Sequence, residues 1–461
     1  MTLIKSISGI RGTIGGESGT NLTPIDIVKF SAAYGKWIQN RNESEKIKIV
    51  IGRDARISGP MVQNLCAGTL QSLGIDVIDL GPSTTPTVEI AVPLENAHGG
   101  IIITASHNPK QWNALKLLNE KGEFISENDG RELLEIAENG NIEFSDVENL
   151  GKIFYDDSYF KKHIKAVIDL PLVNVELIKA AQFKIACDCV NSTGGIVIPE
   201  LLKQLGVNEI IELYCEPNGD FPHNPEPLPE NLTAISEVVI QNNAHLGIVV
   251  DPDVDRLAMV CEDGSMFGEE YTLVAVADHV LNNTPGNTVS NLSSTRALRD
   301  ITENHGTEYH AAAVGEVNVV NKMKSINAVI GGEGNGGVIY PELHYGRDAL
   351  VGIGLFLTHL AKSKLKISEL RDSYPKYVIS KNKIQLTEDI NVDEVLNKMK
   401  EKYASQPINT IDGVKIELGN EWVHFRKSNT EPIIRIYAES ESSLKAEELG
   451  MRFIEEIKNI I

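Results

Sequence analysis

The chain has 461 residues, of which 42% are hydrophobic and 23% charged, with 38 Gly and 19 Pro. That is about three domains' worth of ordinary globular sequence, which excludes a disordered chain, a collagen and a disulfide scaffold. Lys and Arg number 43 against 64 Asp and Glu, a net charge of −21, so nucleic acid is excluded as the main partner, whereas a small phosphorylated ligand could still be held by a few gathered Arg and Lys.

Five cysteines, Cys66, Cys187, Cys189, Cys215 and Cys261, form an odd and sparse set. Cys187 and Cys189 lack CxxC spacing, so all five are expected as reduced thiols. MTLIKSISGIRG has no apolar signal core, and charged residues or Gly interrupt every apolar run before it could span a bilayer. No membrane partner is expected, and a cytoplasmic location follows.

In chain order, residues 46–81 read as a β-branched run, KIKIVIGRDARISG, a helix, PMVQNLCAGTLQSLG, and a second strand, IDVIDLG. The same unit recurs over 184–214, where KIACDCV leads through NSTGG into IVIPELLKQLG, and Gly206 sits where a helix-ending glycine is expected. A third copy, NTVSNLSSTRALRDITENHGTEYHAAAVG, covers 287–315. From about 375 the pattern changes to strands with two helices, the second of them SSLKAEELGMRFIEEIKNII. The expected fold is therefore α/β, with three related α/β domains and a smaller α+β C-terminal domain. The expected segments are 1–155, 156–257, 258–372 and 373–461.

Four loops carry chemistry. The run GGIIIT (99–104) ends in ASHNP, which puts Ser106 and His107 at the end of a strand, where α/β sheets place ligands. The alternative is a turn shaped by Ser106 and Asn108 before Pro109, and the GxSxG elbow is absent. HLGIVV (245–250) runs into DPDVDR, where Asp251, Asp253 and Asp255 alternate beside Arg256. Three oxygens at alternate positions suit a hard divalent cation, Mg²⁺, and the EF-hand reading fails because Arg256 stands where its sixth position needs Gly. GGEGNGG (331–337) allows close ligand approach and offers Glu333 and Asn335; its alternative is a hairpin turn. RKSNTEP (426–432) gathers two cations, two hydroxyls and an amide in an acidic chain, a phosphate clamp or else a solvated turn.

In this order and at these separations, TASHNP, DPDVDR, GEGNGG and RKSNTEP resemble the phosphoserine, metal, sugar and phosphate loops of the α-D-phosphohexomutase superfamily. The resemblance spans nearly the whole chain, and from it, not from the strand and helix pattern, mixed sheets around a central cleft are expected. It implies that Ser106 carries a phosphoryl group and that Asp251, Asp253 and Asp255, with one phosphate oxygen from Ser106, hold Mg²⁺. Arg11, in SGIRG, and Arg256 would lie near the reacting phosphate, with Lys116 as general acid and base. Glu333 and Asn335 would hold sugar hydroxyls; Arg426, Ser428, Asn429 and Thr430 would grip the non-reacting phosphate. The implied reaction interconverts hexose or hexosamine 6-phosphate and 1-phosphate through a hexose 1,6-bisphosphate, which is also the activator. Many members have Ser and His where this sugar loop has Asn335 and Gly337, and a proline where Lys427 stands. GGEGNGG with the downstream GRD (346–348) looks most like archaeal-type phosphoglucosamine mutases; phosphomannomutase or phosphoglucomutase activity is the alternative. A non-catalytic phosphosugar-binding protein is the alternative of another class, and intact Ser106 and three aspartates argue against it.

Overall fold

The computed structural model describes residues 2–6, 9–43, 46–385, 391–427 and 433–459. The chain divides into two units, Met1–Thr272 with Gly336–Ser368 and Leu273–Asn335 with Glu369–Ile461.

The first unit opens with β1 (Ile4–Ser6), β2 (Gly9–Thr13), α1 (Pro24–Arg41), β3 (Lys48–Arg53), α2 (Gly59–Ser72), β4 (Asp76–Pro82), α3 (Thr85–Leu94), β5 (Gly99–Ile103), β6 (Trp112–Leu118), α4 (Glu127–Asn139) and β7 (Ile153–Tyr155). The seven strands form one sheet in the order β1-β2-β6-β5-β3-β4-β7. It is mixed: β3 pairs in parallel with β4 and β5, while β6 runs antiparallel to β5 and β2. Alternation along a strand sends successive side chains to opposite faces. Ile49, Ile51, Ile101 and Ile103 accordingly join the core under α1 and α2, and Val50 and Ile102 join a second core with Val88, Ala91 and Val92 of α3. Burial on both faces explains why these strands read as continuous apolar runs.

There follow α5 (Tyr159–Ile168), α6 (Val175–Ala180), β8 (Lys184–Asp188), α7 (Gly194–Gln204), β9 (Glu209–Leu213), α8 (Thr233–Asn242), β10 (Leu246–Val250) and β11 (Leu257–Cys261). This sheet has the order β11-β10-β8-β9, parallel except for the β10–β11 pair. Beyond it, α9 (Glu269–Asn283) crosses the division between the units.

In the second unit lie β12 (Thr288–Asn291), α10 (Ala297–Asn304), β13 (Tyr309–Ala312), α11 (Glu316–Ile326) and β14 (Ile330–Glu333), with β12 parallel to both β13 and β14. The chain returns to the first unit for β15 (Gly337–Ile339) and α12 (Ala349–Ser363). Every residue of α12 from Ala349 to Ala361 is buried, as an all-round apolar helix must be. After α13 (Ile367–Ser373), the chain ends in β16 (Val378–Gln385), α14 (Val392–Lys402), β17 (Ile408–Asn409), β18 (Val414–Leu418), β19 (Glu421–Lys427), β20 (Ile433–Ser440) and α15 (Ser443–Lys458). Those strands form an antiparallel sheet, β16-β20-β19-β18-β17, whose core residues Val423, Phe425, Ile434 and Ile436 pack with Phe453 and Ile457 of α15.

Candidate functional site

In the first unit, β5 and β10 each end at a charged or hydroxylic loop, and the two loops meet. Ser106 is 4% exposed and its Oγ donates to Asp251 Oδ2 at 2.8 Å. Its backbone is left-handed, φ 50°, which costs a residue with a Cβ roughly 1–2 kcal/mol. Val254, in the facing loop, is also left-handed, φ 62°, a greater oddity for a β-branched side chain. Its N–H donates to the Asp251 carbonyl at 3.1 Å and its carbonyl accepts from Ala349 N at 3.2 Å, so the start of α12 fixes the turn.

What holds Ser106 in place is an arginine that the sequence reading passed over. Arg56 follows β3 and is fully buried. Its Nε donates to Asp54 Oδ2 at 2.9 Å, Nη1 to the carbonyls of Pro109 at 2.8 Å and Trp112 at 3.1 Å, and Nη2 to those of Ser106 and of Asn108 at 2.6 Å. One planar fork thus gathers four carbonyls of a single loop, which a lysine could not do. Asp54 also accepts from Thr104 Oγ1 at 2.6 Å, and Thr104 Oγ1 accepts from Ser106 N at 2.9 Å.

Asp251, Asp253 and Asp255 are fully buried, and one oxygen from each lies within 4.8 Å of the others. Asp251 Oδ1 accepts from the backbone N–H groups of Asp255 and Arg256, both at 3.2 Å. Burial and then the charges of Asp255 and Asp253 push the Asp251 carboxyl well above its usual range. Asp253 Oδ2 accepts from Lys116 Nζ at 2.7 Å, and Asp255 Oδ2 pairs with Arg347 Nη2 at 2.7 Å. Their other oxygens, Asp253 Oδ1 and Asp255 Oδ1, are buried without a hydrogen-bond partner among the described residues. Crowded carboxylates with free hard oxygens fit a divalent cation of the Mg²⁺ kind.

Cations ring this cluster. Burial pushes the Lys116 ammonium down, but Asp253 and Asp255 outweigh it and leave its pKa raised. Arg256 lies 3.8 Å from Asp255 Oδ1, and Arg11 donates to Asn108 Oδ1 at 2.9 Å. Burial, then Arg256 and Arg11, push the His107 imidazole well down, so it is neutral at pH 7. Gly9 brings Arg11 here: with φ 107°, a Cβ on it would lie 2.2 Å from the Leu115 carbonyl, beside Lys116.

A second buried network was invisible in the sequence. His163 Nδ1 meets Thr87 Oγ1 at 2.9 Å and its Nε2 meets Asp348 Oδ2 at 2.8 Å; His344 lies 3.3 Å from Asp348 and 3.4 Å from Glu89. Burial would raise the Asp348 carboxyl, yet His163 and His344 hold it below the usual carboxylate range. Asp348 also caps α12, accepting from Leu350 N at 2.8 Å, which places its neighbour Arg347 against Asp255.

In the second unit, Glu333 ends β14 and is 4% exposed; its Oε1 accepts from Asn291 Nδ2 at 2.8 Å and Gly315 N at 3.0 Å. Arg426, near the end of β19, lies 3.4 Å from Asp412 Oδ2, which also accepts from Val314 N at 3.0 Å. The Val314–Gly315 turn therefore ties Glu333 and Arg426 to one frame, through an aspartate the sequence reading did not single out. Asn335 is half-buried in the turn after β14. Ser428, Asn429 and Thr430 lie outside the described residues.

Four family models, described as Phosphoglucomutase/phosphomannomutase, alpha/beta/alpha domains I, II and III and C-terminal domain, match residues 3–143, 158–264, 268–377 and 382–456. The architecture is thus four-domain α/β with mixed sheets. A "Phosphoglucomutase/phosphomannomutase" of Thermococcus kodakarensis is 35% identical over 454 residues, 96% of this chain and 98% of that protein. A "Phosphoglucosamine/phosphogalactosamine mutase" of Sulfurisphaera tokodaii is 32% identical over 466 residues, 98% of each. Among solved structures, a phosphoglucomutase/phosphomannomutase family protein from Burkholderia thailandensis superposes with a TM-score of 0.85 at 25% identity, covering 99% of this chain and 98% of that one.

Proposed function

Given that the chain belongs to the phosphoglucomutase/phosphomannomutase family and is a phosphohexomutase, we propose that Ser106 is its phosphate carrier and that hexosamine phosphate is its preferred substrate. The observation that carries the first part is the hydroxyl of Ser106, strained, pinned by Arg56 and 2.8 Å from a buried carboxylate of the aspartate cluster. Phosphoryl transfer asks a protein mainly for in-line positioning and charge neutralisation, and a pinned hydroxyl among buried carboxylates and cations supports that reading.

In this reading phospho-Ser106 gives its phosphoryl group to the free hydroxyl of the bound monophosphate. The serine P–O bond breaks, a sugar P–O bond forms, and the proton of the sugar hydroxyl ends on the freed Ser106 Oγ. The 1,6-bisphosphate turns round and returns its other phosphate to Ser106. Asp251, Asp253 and Asp255 would hold Mg²⁺, which when bound draws charge off the phosphoryl oxygens. Arg11 and Arg256 add positive charge at the same place. Lys116, whose Nζ lies 2.7 Å from Asp253 Oδ2, is the general acid and base that would carry this proton. Glu333 and Asn335 take sugar hydroxyls, and Arg426, with Ser428, Asn429 and Thr430, takes the non-reacting phosphate. These roles fall in the segments 1–155, 156–257, 258–372 and 373–461, in loop order. A cytoplasmic site of action belongs to the same reading, supported by five free thiols and by the absence, among the described residues, of any helix long and apolar enough to cross a membrane.

The name of the Sulfurisphaera relative and the loop GGEGNGG with the GRD sequence after it favour a hexosamine phosphate. The Thermococcus relative, at 35% identity, favours glucose or mannose phosphate instead. Comparing kcat/KM for glucosamine, mannose and glucose 1-phosphates, each with glucose 1,6-bisphosphate, decides between them: a preference for the amino sugar supports the proposal, and equal or better use of mannose or glucose 1-phosphate rejects it.

A further inference from the structure

Outside the phosphate chemistry, the first unit gathers three of its five cysteines. Cys187 lies in β8, Cys189 just past its end, and Cys215 two residues beyond β9. Their sulfurs all lie within 4.8 Å of one another, with Cys187 Sγ and Cys215 Sγ 3.9 Å apart. Three thiolates each about 2.3 Å from a shared ion would stand roughly 3.8–4.0 Å apart, so sub-ångström adjustments complete the set. Cys187 and Cys189 are fully buried and Cys215 is half-buried, which leaves one approach from solvent.

We infer that Cys187, Cys189 and Cys215 form a binding site for one thiophilic cation of the Zn²⁺ or Cu⁺ class. Sulfur donors select soft ions over Mg²⁺. Cu⁺ is satisfied by three thiolates, and Zn²⁺ would take a fourth ligand from solvent on the open side of Cys215. Beside the cluster Val190, Asn191 and Tyr214 are all left-handed, with φ 46°, 51° and 51°. The ion would join the ends of β8 and β9 and stiffen the turn after Cys189, in which Ser192 Oγ and Thr193 Oγ1 donate to the Pro252 carbonyl of the aspartate loop at 2.6 and 3.1 Å.

The test uses the full chain, reduced, stripped by chelator and then kept in excess Mg²⁺ so that the aspartates are occupied. It is titrated with Zn²⁺, and separately with Cu⁺, against a chromogenic competitor, and Cd²⁺ serves as the spectroscopic probe. The expected result is one equivalent of Zn²⁺ or Cu⁺ bound, a sulfur-to-metal charge-transfer band with Cd²⁺, and a rise in the thermal midpoint on loading. Cys215→Ser should weaken binding at least tenfold and abolish the thermal rise while retaining mutase turnover. No charge-transfer band in the unaltered protein, or equal affinity in Cys215→Ser, overturns the inference. So does tight Zn²⁺ binding that Asp251→Asn removes and Cys215→Ser leaves intact.

Discussion

The proposed roles give the two units different halves of one reaction, and the units differ in how firmly their side chains are held. Around Ser106 the hydroxyl and the three aspartates are buried, the backbone is strained at two loops, and a single guanidinium gathers four carbonyls. Around Arg426 the arginine and its partner Asp412 are both about a quarter exposed, and their single contact is 3.4 Å long. Strained, buried geometry suits a reacting atom that must not move. A looser, half-wet cation suits a phosphate that must be released and rebound, since exposed ion pairs hold weakly.

Substitutions break or sharpen this contrast. Ser106→Ala should have the largest effect, about 10³-fold or more in kcat, with loss of phosphate from the Ser106 peptide; retained turnover with bisphosphate supplied would contradict the carrier role. Asp251→Asn or Asp253→Asn should cost about 10²–10³-fold, together with an altered Mg²⁺ titration curve, and chelation should abolish activity until Mg²⁺ is restored.

Arg56→Lys keeps the charge and loses the fork. Because a misplacement of about 1 Å can cost about 10²-fold, kcat should fall roughly 10–100-fold with KM little changed. Rescue by free guanidine in Arg56→Ala would show that bonding to the loop, rather than bulk, is what was lost.

Arg426→Lys should be the mildest: KM rises about tenfold, about 1.4 kcal/mol of binding, with a smaller loss of kcat. Ser106 phosphorylation should persist, and dependence on added bisphosphate should increase. Unchanged KM and unchanged bisphosphate dependence would return the 426–432 loop to a solvated turn.

The same contrast explains what was legible in the sequence. Ser106 and the three aspartates were readable because each lies in a short contiguous motif at the end of an apolar strand, where alternation and burial leave few roles for a charge. The repeated strand–helix–strand units were readable for a similar reason: Ile49 to Ile51 and Ile101 to Ile103, buried on both faces of the sheet, produce unbroken apolar runs. Arg56 sat in plain view in GRDAR, but what it does depends on a loop 50 residues away reached through sheet packing. His163, His344, Asp348 and Glu89 come from four separated stretches, and Asp412 finds Arg426 only because β18 and β19 pair. No local pattern encodes such meetings. Lys116 became a candidate through the family resemblance alone, since nothing in WNALKLL marks a lysine that packs between two buried aspartates.

The central claim is that the transferred phosphate passes through Ser106. Enzyme carrying ³²P on Ser106 should be mixed with unlabelled glucosamine 6-phosphate and quenched within a few turnovers. The label is expected to leave the protein at the rate of turnover, appearing first in the 1,6-bisphosphate and then in the monophosphate pool. Label that stays on Ser106 while substrate is converted would contradict the account.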